Sequence, residues 1–269
     1  MIRLAVRVRS ERAEIALAEL LELAPGGVEE TDLGDSVEYA VYGAVGELPD
    51  LGDVRAAVGG ELVEVSSREV ADDWADRWKQ FHVPIVVEDR VCVRPPWSDP
   101  FDGVLDVVID PGRAFGTGSH PTTRLCLELL LGLSPGGPLL DVGCGSGVLA
   151  IAAAKLGWGP VRGVDHEAES VEATRENARA NGVEVDVARA DLRSEPLPWA
   201  PTVTANLLRP LLLDLAGRLP ADAVPDTLIA SGLLRHEGDE VAAAFARAGL
   251  RAAARRDEGE WSALLLVRA

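Results

Sequence analysis

One glycine-rich segment, residues 139–151, constrains the fold of this chain more than any other. It begins as a short apolar strand, turns at Gly143, Gly145 and Gly147, and continues as an apolar helix. Glycine permits positive φ and the close approach of a ligand to the backbone. The helix that follows directs free N–H groups and its positive dipole end toward the turn. The segment therefore predicts a nucleotide-type pocket in an α/β fold.

Two acidic residues bear on which nucleotide is bound. The glycines also fit the G-x-G-x-x-G/A dinucleotide pattern from Gly145 onward, so a dehydrogenase remains an alternative, as does a plain turn without ligand. Asp141, however, would repel a pyrophosphate, whereas it could face an ammonium group. Asp165 ends the next predicted strand, where its carboxylate can accept both hydroxyls of a ribose. These positions favour S-adenosylmethionine as the cofactor.

Strands and helices alternate from residue 138 onward, which predicts a parallel, doubly wound sheet. Ligands bind at the carboxyl ends of such strands. Asp191 follows a strand predicted at 183–188 and is placed to meet an adenine amino group, although it could be a simple turn residue. Asn206 ends the next strand and would face the same crevice, unless it only caps a helix.

A polar loop at residues 110–124 precedes the glycine-rich strand. Its hydrogen-bonding capacity exceeds what a plain connector needs. We expect Phe115, Gly116 and Thr117 to contribute to the cofactor site. His120 could equally be a functional residue or a helix-entry residue.

The first part of the chain predicts a small α+β domain. The expected order is strand, helix, strand, strand, helix, strand, at residues 2–9, 11–24, 28–31, 37–42, 49–58 and 61–65. This is the split βαβ order of a ferredoxin-like domain, and it carries no catalytic constellation. We predict a binding domain at 1–66, a linker with a helix at 67–95, and a catalytic domain at 96–269.

The charge and composition of the chain limit which kinds of binding partner are expected. The 26 basic and 44 acidic residues give a formal net charge of −18, which disfavours direct nucleic-acid binding and favours a basic partner, or else serves solubility. No stretch approaches the roughly 20 apolar residues of a membrane span, and no signal peptide is recognisable, so we expect a cytoplasmic protein. Three scattered cysteines indicate neither a disulfide framework nor a metal site.

Several segments together resemble the ribosomal protein L11 methyltransferase (PrmA) family. They are residues 109–124, 140–151, Ala205-Asn206, Ser231-Gly232-Leu233, the terminal Glu258-Gly259-Glu260-Trp261, and the linker residues Asp73-Trp74 and Trp78. The resemblance spans the chain, weakly before residue 70 and strongly from 109 to 151. The sequence departs from the family pattern at Ser119 and at Leu207-Leu208-Arg209.

The resemblance implies a class I methyltransferase with a Rossmann-like, mostly parallel seven-stranded sheet. It also implies a small N-terminal ferredoxin-like domain that recognises the substrate. It implies that Thr123, Gly143, Asp165 and Asn206 contact S-adenosylmethionine, and that lysine and N-terminal amines of a basic ribosomal protein are methylated. We expect a monomer.

Methyl transfer from a sulfonium needs alignment rather than a metal ion. The attacking amine must be neutral. We expect Asn206 to orient that amine and His120 to serve as a proton acceptor or loop contact.

Two other functions remain open from the sequence. A methyltransferase for another protein or a small molecule would share every catalytic feature, and deletion of residues 1–66 would distinguish them. A non-catalytic cofactor-binding module is the second. An adenine-amine methyltransferase is disfavoured because no Pro-Pro-aromatic run follows Asn206 to stack a flipped base.

Overall fold

The computed structural model describes residues 2–10, 13, 16, 20, 28–43, 62–69, 82–111, 118, 120–220 and 224–269. The chain divides into two compact units, residues 1–81 and residues 82–269. The domain boundaries at 66 and 95 stay predictions.

The first unit contains a four-stranded antiparallel sheet. Its strands are β1 (Ile2–Arg9), β2 (Glu29–Asp32), β3 (Ser36–Gly43) and β4 (Leu62–Glu69), in the order β2-β3-β1-β4. Strands β1 and β2 run parallel with β3 between them, as a split βαβ unit requires. Of the helix predicted at 11–24, only residues 13, 16 and 20 are described, and they are helical. The helix predicted at 49–58 lies outside the described residues. So does the linker helix expected over 70–82, except for His82, which is not helical.

The second unit opens with a three-stranded sheet of β5 (Ile85–Val87), β6 (Val91–Arg94) and β7 (Leu105–Val108). Residues 83–94 have strand character in the sequence, but the chain turns between β5 and β6, which pair antiparallel. Glu88 and Asp89 form this turn at φ 49° and 52°. Both are non-glycine residues in the left-handed region, and only Asp89 is of a type enriched there, so the local sequence marks the turn weakly.

The main sheet has seven strands in the order β10-β9-β8-β11-β12-β14-β13. They are β8 (Leu139–Val142), β9 (Val161–Asp165), β10 (Asp186–Arg189), β11 (Thr202–Asn206), β12 (Thr227–Leu234), β13 (Leu250–Glu258) and β14 (Trp261–Arg268). The first five in this order are parallel, and β14 is antiparallel to both of its neighbours. The predicted mostly parallel, seven-stranded sheet is confirmed.

Five helices cover the two faces of this sheet. They are α1 (Pro121–Leu131), α2 (Val148–Leu156), α3 (Ala168–Ala180), α4 (Arg209–Arg218) and α5 (Gly238–Arg247). Buried side chains of α1, α2 and α3 share one core with Leu139, whereas those of α4 and α5 share the other with Leu140 and Val142. The alternation along β8 therefore builds the two layers of a doubly wound fold.

Strand β12 continues past Gly232 to Leu234, with a register shift between Ser231 and Leu233 opposite β14. Gly232 takes φ +86°, and an added Cβ would lie 2.5 Å from the carbonyl oxygen of Leu207. The glycine thus accommodates a bulge rather than ending the strand.

In the part of the chain that the structure describes, no helix is both long and apolar enough to cross a membrane. Nor do the same residues include any group of three or more His, Cys, Asp or Glu side chains arranged to hold a metal ion.

Candidate active site

The glycine turn between β8 and α2 has the backbone that the sequence predicts. Gly143, Gly145 and Gly147 take φ 73°, 53° and 83°. The N–H groups of Gly143 and Cys144 donate to the carbonyl oxygen of Val164, at 2.8 and 3.1 Å. The turn is therefore fixed against the end of β9, with α2 starting directly behind it.

Two buried polar side chains of α3 hydrogen-bond to the backbone of the glycine turn. Thr174 Oγ1 donates to the carbonyl oxygen of Gly145 at 2.8 Å, and Asn177 Nδ2 donates to that of Ser146 at 2.9 Å. Asn177 Oδ1 also accepts from the backbone N–H of Asp110 at 3.0 Å, which brings the start of the polar loop beside the turn. Neither residue was predicted from the sequence, because nothing local to either one indicates that it reaches the turn.

Asp141 is buried next to this turn, with only 1% of its surface exposed. Its Oδ1 accepts from Thr204 Oγ1 at 2.7 Å, whereas its Oδ2 has no hydrogen-bond partner among the described residues. Burial raises the pKa of this carboxyl to about 7. A buried carboxylate oxygen without a donor is a site that a cation would stabilise, so the residue fits the predicted ammonium contact.

Asp165 connects the end of β9 to the turn. Its Oδ2 accepts from the N–H of Gly145 at 2.9 Å, and its Oδ1 accepts from the N–H of Glu167 at 3.0 Å. A carboxylate offers about four acceptor positions. The orientation of Asp165 is therefore set by the backbone while acceptor capacity is left for ribose hydroxyls.

Asn206 lies at the same edge of the sheet, at the end of β11. Thr204 pairs with Asp141 in the ladder between β8 and β11, which places Asn206 two residues further toward the carboxyl edge. Its Nδ2 donates to Oγ1 of Thr123, at 3.4 Å. Thr123 is buried in the first turn of α1. The structure thus brings Asn206, Thr123 and the glycine turn to one edge.

His120 caps the N-terminus of α1. Its Nδ1 accepts from the backbone N–H of Thr122 at 3.4 Å and lies 2.8 Å from Thr122 Oγ1. Burial, with a smaller effect of the nearby Arg124, lowers the pKa of the ring. In the tautomer that accepts this bond, Nδ1 holds the cap and Nε2 carries the proton, so the geometry favours a contact role over proton acceptance.

The hairpin between β13 and β14 packs against the start of α1. The Trp261 ring meets the His120 ring edge-on, with centroids 4.8 Å apart and planes at 70°. Arg124 forms an ion pair with Glu258, with 3.2 Å between Nε and Oε2. The sequence marked Glu258 and Trp261 only as part of a family-like segment, and their positions give that segment a role in holding α1.

The remaining residues predicted for the cofactor site are not brought together with the glycine turn by any described contact. Asp191 follows β10, one strand beyond Asp165 along the same edge, and its Oδ1 accepts from the Arg193 N–H at 2.9 Å. Hydrogen bonding by Arg193 lowers the pKa of this partly exposed carboxyl. Phe115, Gly116 and Thr117 lie outside the described residues. The contributions of Asp191 and of these three residues to a cofactor site stay predictions.

Comparison with known proteins settles the family. The sequence model of the family described as ribosomal protein L11 methyltransferase (PrmA) matches residues 51–269, well over half of the chain. The chain belongs to the PrmA family.

Relatives of this PrmA protein carry the same family name. The ribosomal protein L11 methyltransferase of Geobacter metallireducens is 42% identical over 197 residues, which cover 72% of this chain but 66% of the relative, slightly under two thirds of its length. The ribosomal protein L11 methyltransferase of Burkholderia ambifaria is 37% identical to this chain. The match covers 91% of this chain and 90% of that relative.

A solved structure gives the same result for the fold. The crystal structure of ribosomal protein L11 methylase from Lactobacillus delbrueckii subsp. bulgaricus matches 70% of this PrmA chain and 99% of its own, with a TM-score of 0.64 and 29% identity. The class I methyltransferase fold predicted from the sequence is confirmed.

Proposed function

We propose that this PrmA protein transfers methyl groups from S-adenosylmethionine to lysine and N-terminal amines of ribosomal protein L11. The observation that carries the proposal is the placement of Asn206, a neutral amide, at the same sheet edge as the partnerless Oδ2 of Asp141. The carboxylate of Asp141 suits a cationic cofactor, and the amide of Asn206 suits an uncharged amine. The names of the relatives support the choice of ribosomal protein.

Each residue of the proposed cofactor site has a chemical role. S-adenosylmethionine, when bound, supplies an activated methyl group. We assign Asp141 to its ammonium group, Asp165 to the ribose hydroxyls and Asp191 to the adenine amino group. The glycine turn, Thr123 and the loop residues Phe115, Gly116 and Thr117 complete the proposed binding set.

The residues near the acceptor must favour a neutral amine. A carboxylate beside the amine would stabilise ammonium, which has no lone pair with which to attack. The amide of Asn206 can accept a hydrogen bond from the amine without carrying charge, while its contact with Thr123 Oγ1 limits its rotation. We assign Asn206 to orientation, and His120 to holding α1 in place beside it.

The partner and its location follow from charge and family. A net charge of −18 attracts a basic ribosomal protein at long range. We propose that residues 1–66 recognise this substrate, that residues 96–269 carry the chemistry, and that the protein acts as a cytoplasmic monomer.

The test is an in vitro methylation assay. The purified protein is incubated with radiolabelled S-adenosylmethionine and large-subunit ribosomal proteins, and the products are resolved by gel and mass spectrometry. We expect label on ribosomal protein L11 alone, at lysine and N-terminal amines. Cofactor binding without label on any ribosomal protein would overturn the substrate, and absence of cofactor binding would overturn the reaction itself.

A further inference from the structure

Leu208 is a large apolar side chain that the fold leaves in solvent beside Asn206. It is 64% exposed and stands two residues after the proposed orienting amide. Its carbonyl oxygen accepts from the N–H groups of Leu211 and Leu212, at 3.0 and 3.1 Å, so it occupies the N-cap position of α4. Polar residues are strongly preferred at this position, and its side chain makes no cap bond.

The backbone around Leu208 is held in place by Leu207. The N–H of Leu207 donates to the carbonyl oxygen of Ser231 at 2.9 Å, which extends the ladder between β11 and β12 past Asn206. The Leu207 side chain packs on Gly143, and its backbone packs on Gly232. Because Leu207 fills the space at the glycine turn, Leu208 is directed outward by a fixed segment rather than by a loose loop.

The charges next to Leu208 are predominantly acidic. Arg209 Nε lies 3.1 Å from Glu237 Oε1, and Arg209 Nη1 lies 2.9 Å from Glu240 Oε2. Two carboxylates therefore surround one guanidinium. An apolar side chain flanked by net negative charge matches a lysine, whose methylene stem is apolar and whose head is cationic.

We propose that Leu208 packs against the methylene stem of the acceptor lysine and so determines specificity for lysine over amines without such a stem. The inference rests on the proposed function and concerns how the lysine substrate is recognised. It explains why an apolar residue occupies a position where a cap would stabilise the helix: a sequence that breaks a local rule often does so at a functional site. An N-terminal α-amine has no such stem, so the contact would act at lysine alone.

The test compares the two kinds of amine within one substrate. Leu208→Ser is assayed with intact ribosomal protein L11, and kcat/KM is measured separately at lysine and at the N-terminal amine by mass spectrometry. We expect about a tenfold loss at lysine and none at the N-terminus, since removal of apolar contact from a binding site has effects of that order. Affinity for S-adenosylmethionine should not change, and the unfolding midpoint should stay the same or rise because serine caps helices.

Two further variants complete the experiment. Leu208→Met, which keeps an apolar side chain, should retain lysine methylation, and Phe101→Ser, which removes another side chain with 50% exposure, should change neither rate. Equal losses at both amines, or no loss at lysine, would overturn the role of Leu208. If the unsubstituted enzyme methylates no lysine at all, the proposed function fails with it, and that result is distinct because it appears before any substitution.

Discussion

Leu207 packs directly onto Gly143, so that a Cβ added to this glycine would overlap its side chain. Gly143 also takes φ +73°, which disfavours any other residue. We expect Gly143→Ala to lower the free energy of unfolding by about 1–3 kcal/mol, from backbone strain together with the shift that the Leu207 side chain must make. Urea unfolding measures this loss.

Gly137 is a matched control for that substitution. It takes φ +75°, but an added Cβ would meet nothing within 4 Å. Gly137→Ala should therefore cost only the backbone part, about 1 kcal/mol. The double variant Gly143→Ala/Leu207→Ala should recover part of the loss. Equal costs at the two glycines would show that Leu207 does not constrain the turn.

Asp141 should make stability depend on pH. Its pKa in the folded protein is about 7, against an ordinary value of 3.8, because burial disfavours the charged form. Below pH 4 both states hold the proton. As the pH rises toward 7 the unfolded state releases the proton first, so the free energy of unfolding falls by up to about 1.4 kcal/mol per pH unit.

The variant Asp141→Asn removes this titration. The difference in unfolding free energy between wild type and variant should therefore change steadily from pH 4 to 7, as measured by urea unfolding. Cofactor affinity of the wild type should increase as the pH rises through 7, because only the ionised carboxyl attracts an ammonium. If wild type and variant show the same pH dependence in both measurements, Asp141 does not titrate in this range.

Asn206 is expected to affect turnover more than cofactor binding. Asn206→Ala should reduce kcat by about 100-fold, the order found when one positioned hydrogen-bonding group is lost from an active site. Asn206→Asp should be as inactive near pH 7 and recover at higher pH, because its carboxylate would stabilise the ammonium form of the acceptor. Unchanged turnover in Asn206→Ala would remove the orienting role.

Thr123→Val tests the contact that holds Asn206. The substitution keeps the shape of the side chain but removes the oxygen that accepts from Asn206 Nδ2. A smaller loss of kcat than in Asn206→Ala is expected, with folding intact by circular dichroism.

His120 should contribute to stability rather than proton transfer. His120→Ala removes the cap of α1 and should cost about 1 kcal/mol in the free energy of unfolding, whereas His120→Asn supplies another capping side chain and should cost less. We expect His120→Asn to keep its turnover and an unchanged pH–rate profile. A large fall in kcat, together with loss of one limb of that profile, would instead identify His120 as the proton acceptor.

The sequence predicted those parts of the site that depend on local chemistry. Alternating glycines after an apolar strand require a particular backbone, and acids at strand ends reach a common edge, so Gly143, Asp141 and Asp165 were found without a structure. The turn at Glu88 and Asp89 has no glycine to mark it, and a single Asp, although enriched at positive φ, is too weak a signal to place a turn.

Residues that act across the fold could not be found in this way. Thr204 reaches Asp141 from 63 positions away, and Asn177 reaches Ser146 from 31. Strand β12 continues through Gly232 because its pairing with β14, a tertiary interaction, overrides the local turn signal. Such contacts depend on topology, which one sequence does not specify position by position.

Strand β14 lies between β12 and β13, although it follows both in the chain. During synthesis, therefore, β12 keeps an unpaired edge until Trp261–Arg268 has left the ribosome. Unpaired edges of this kind promote association between chains. The contact of Trp261 with His120 forms in the same late step. A nascent chain that stops short of β14 would thus be prone to aggregate and would lack the aromatic contact that supports α1.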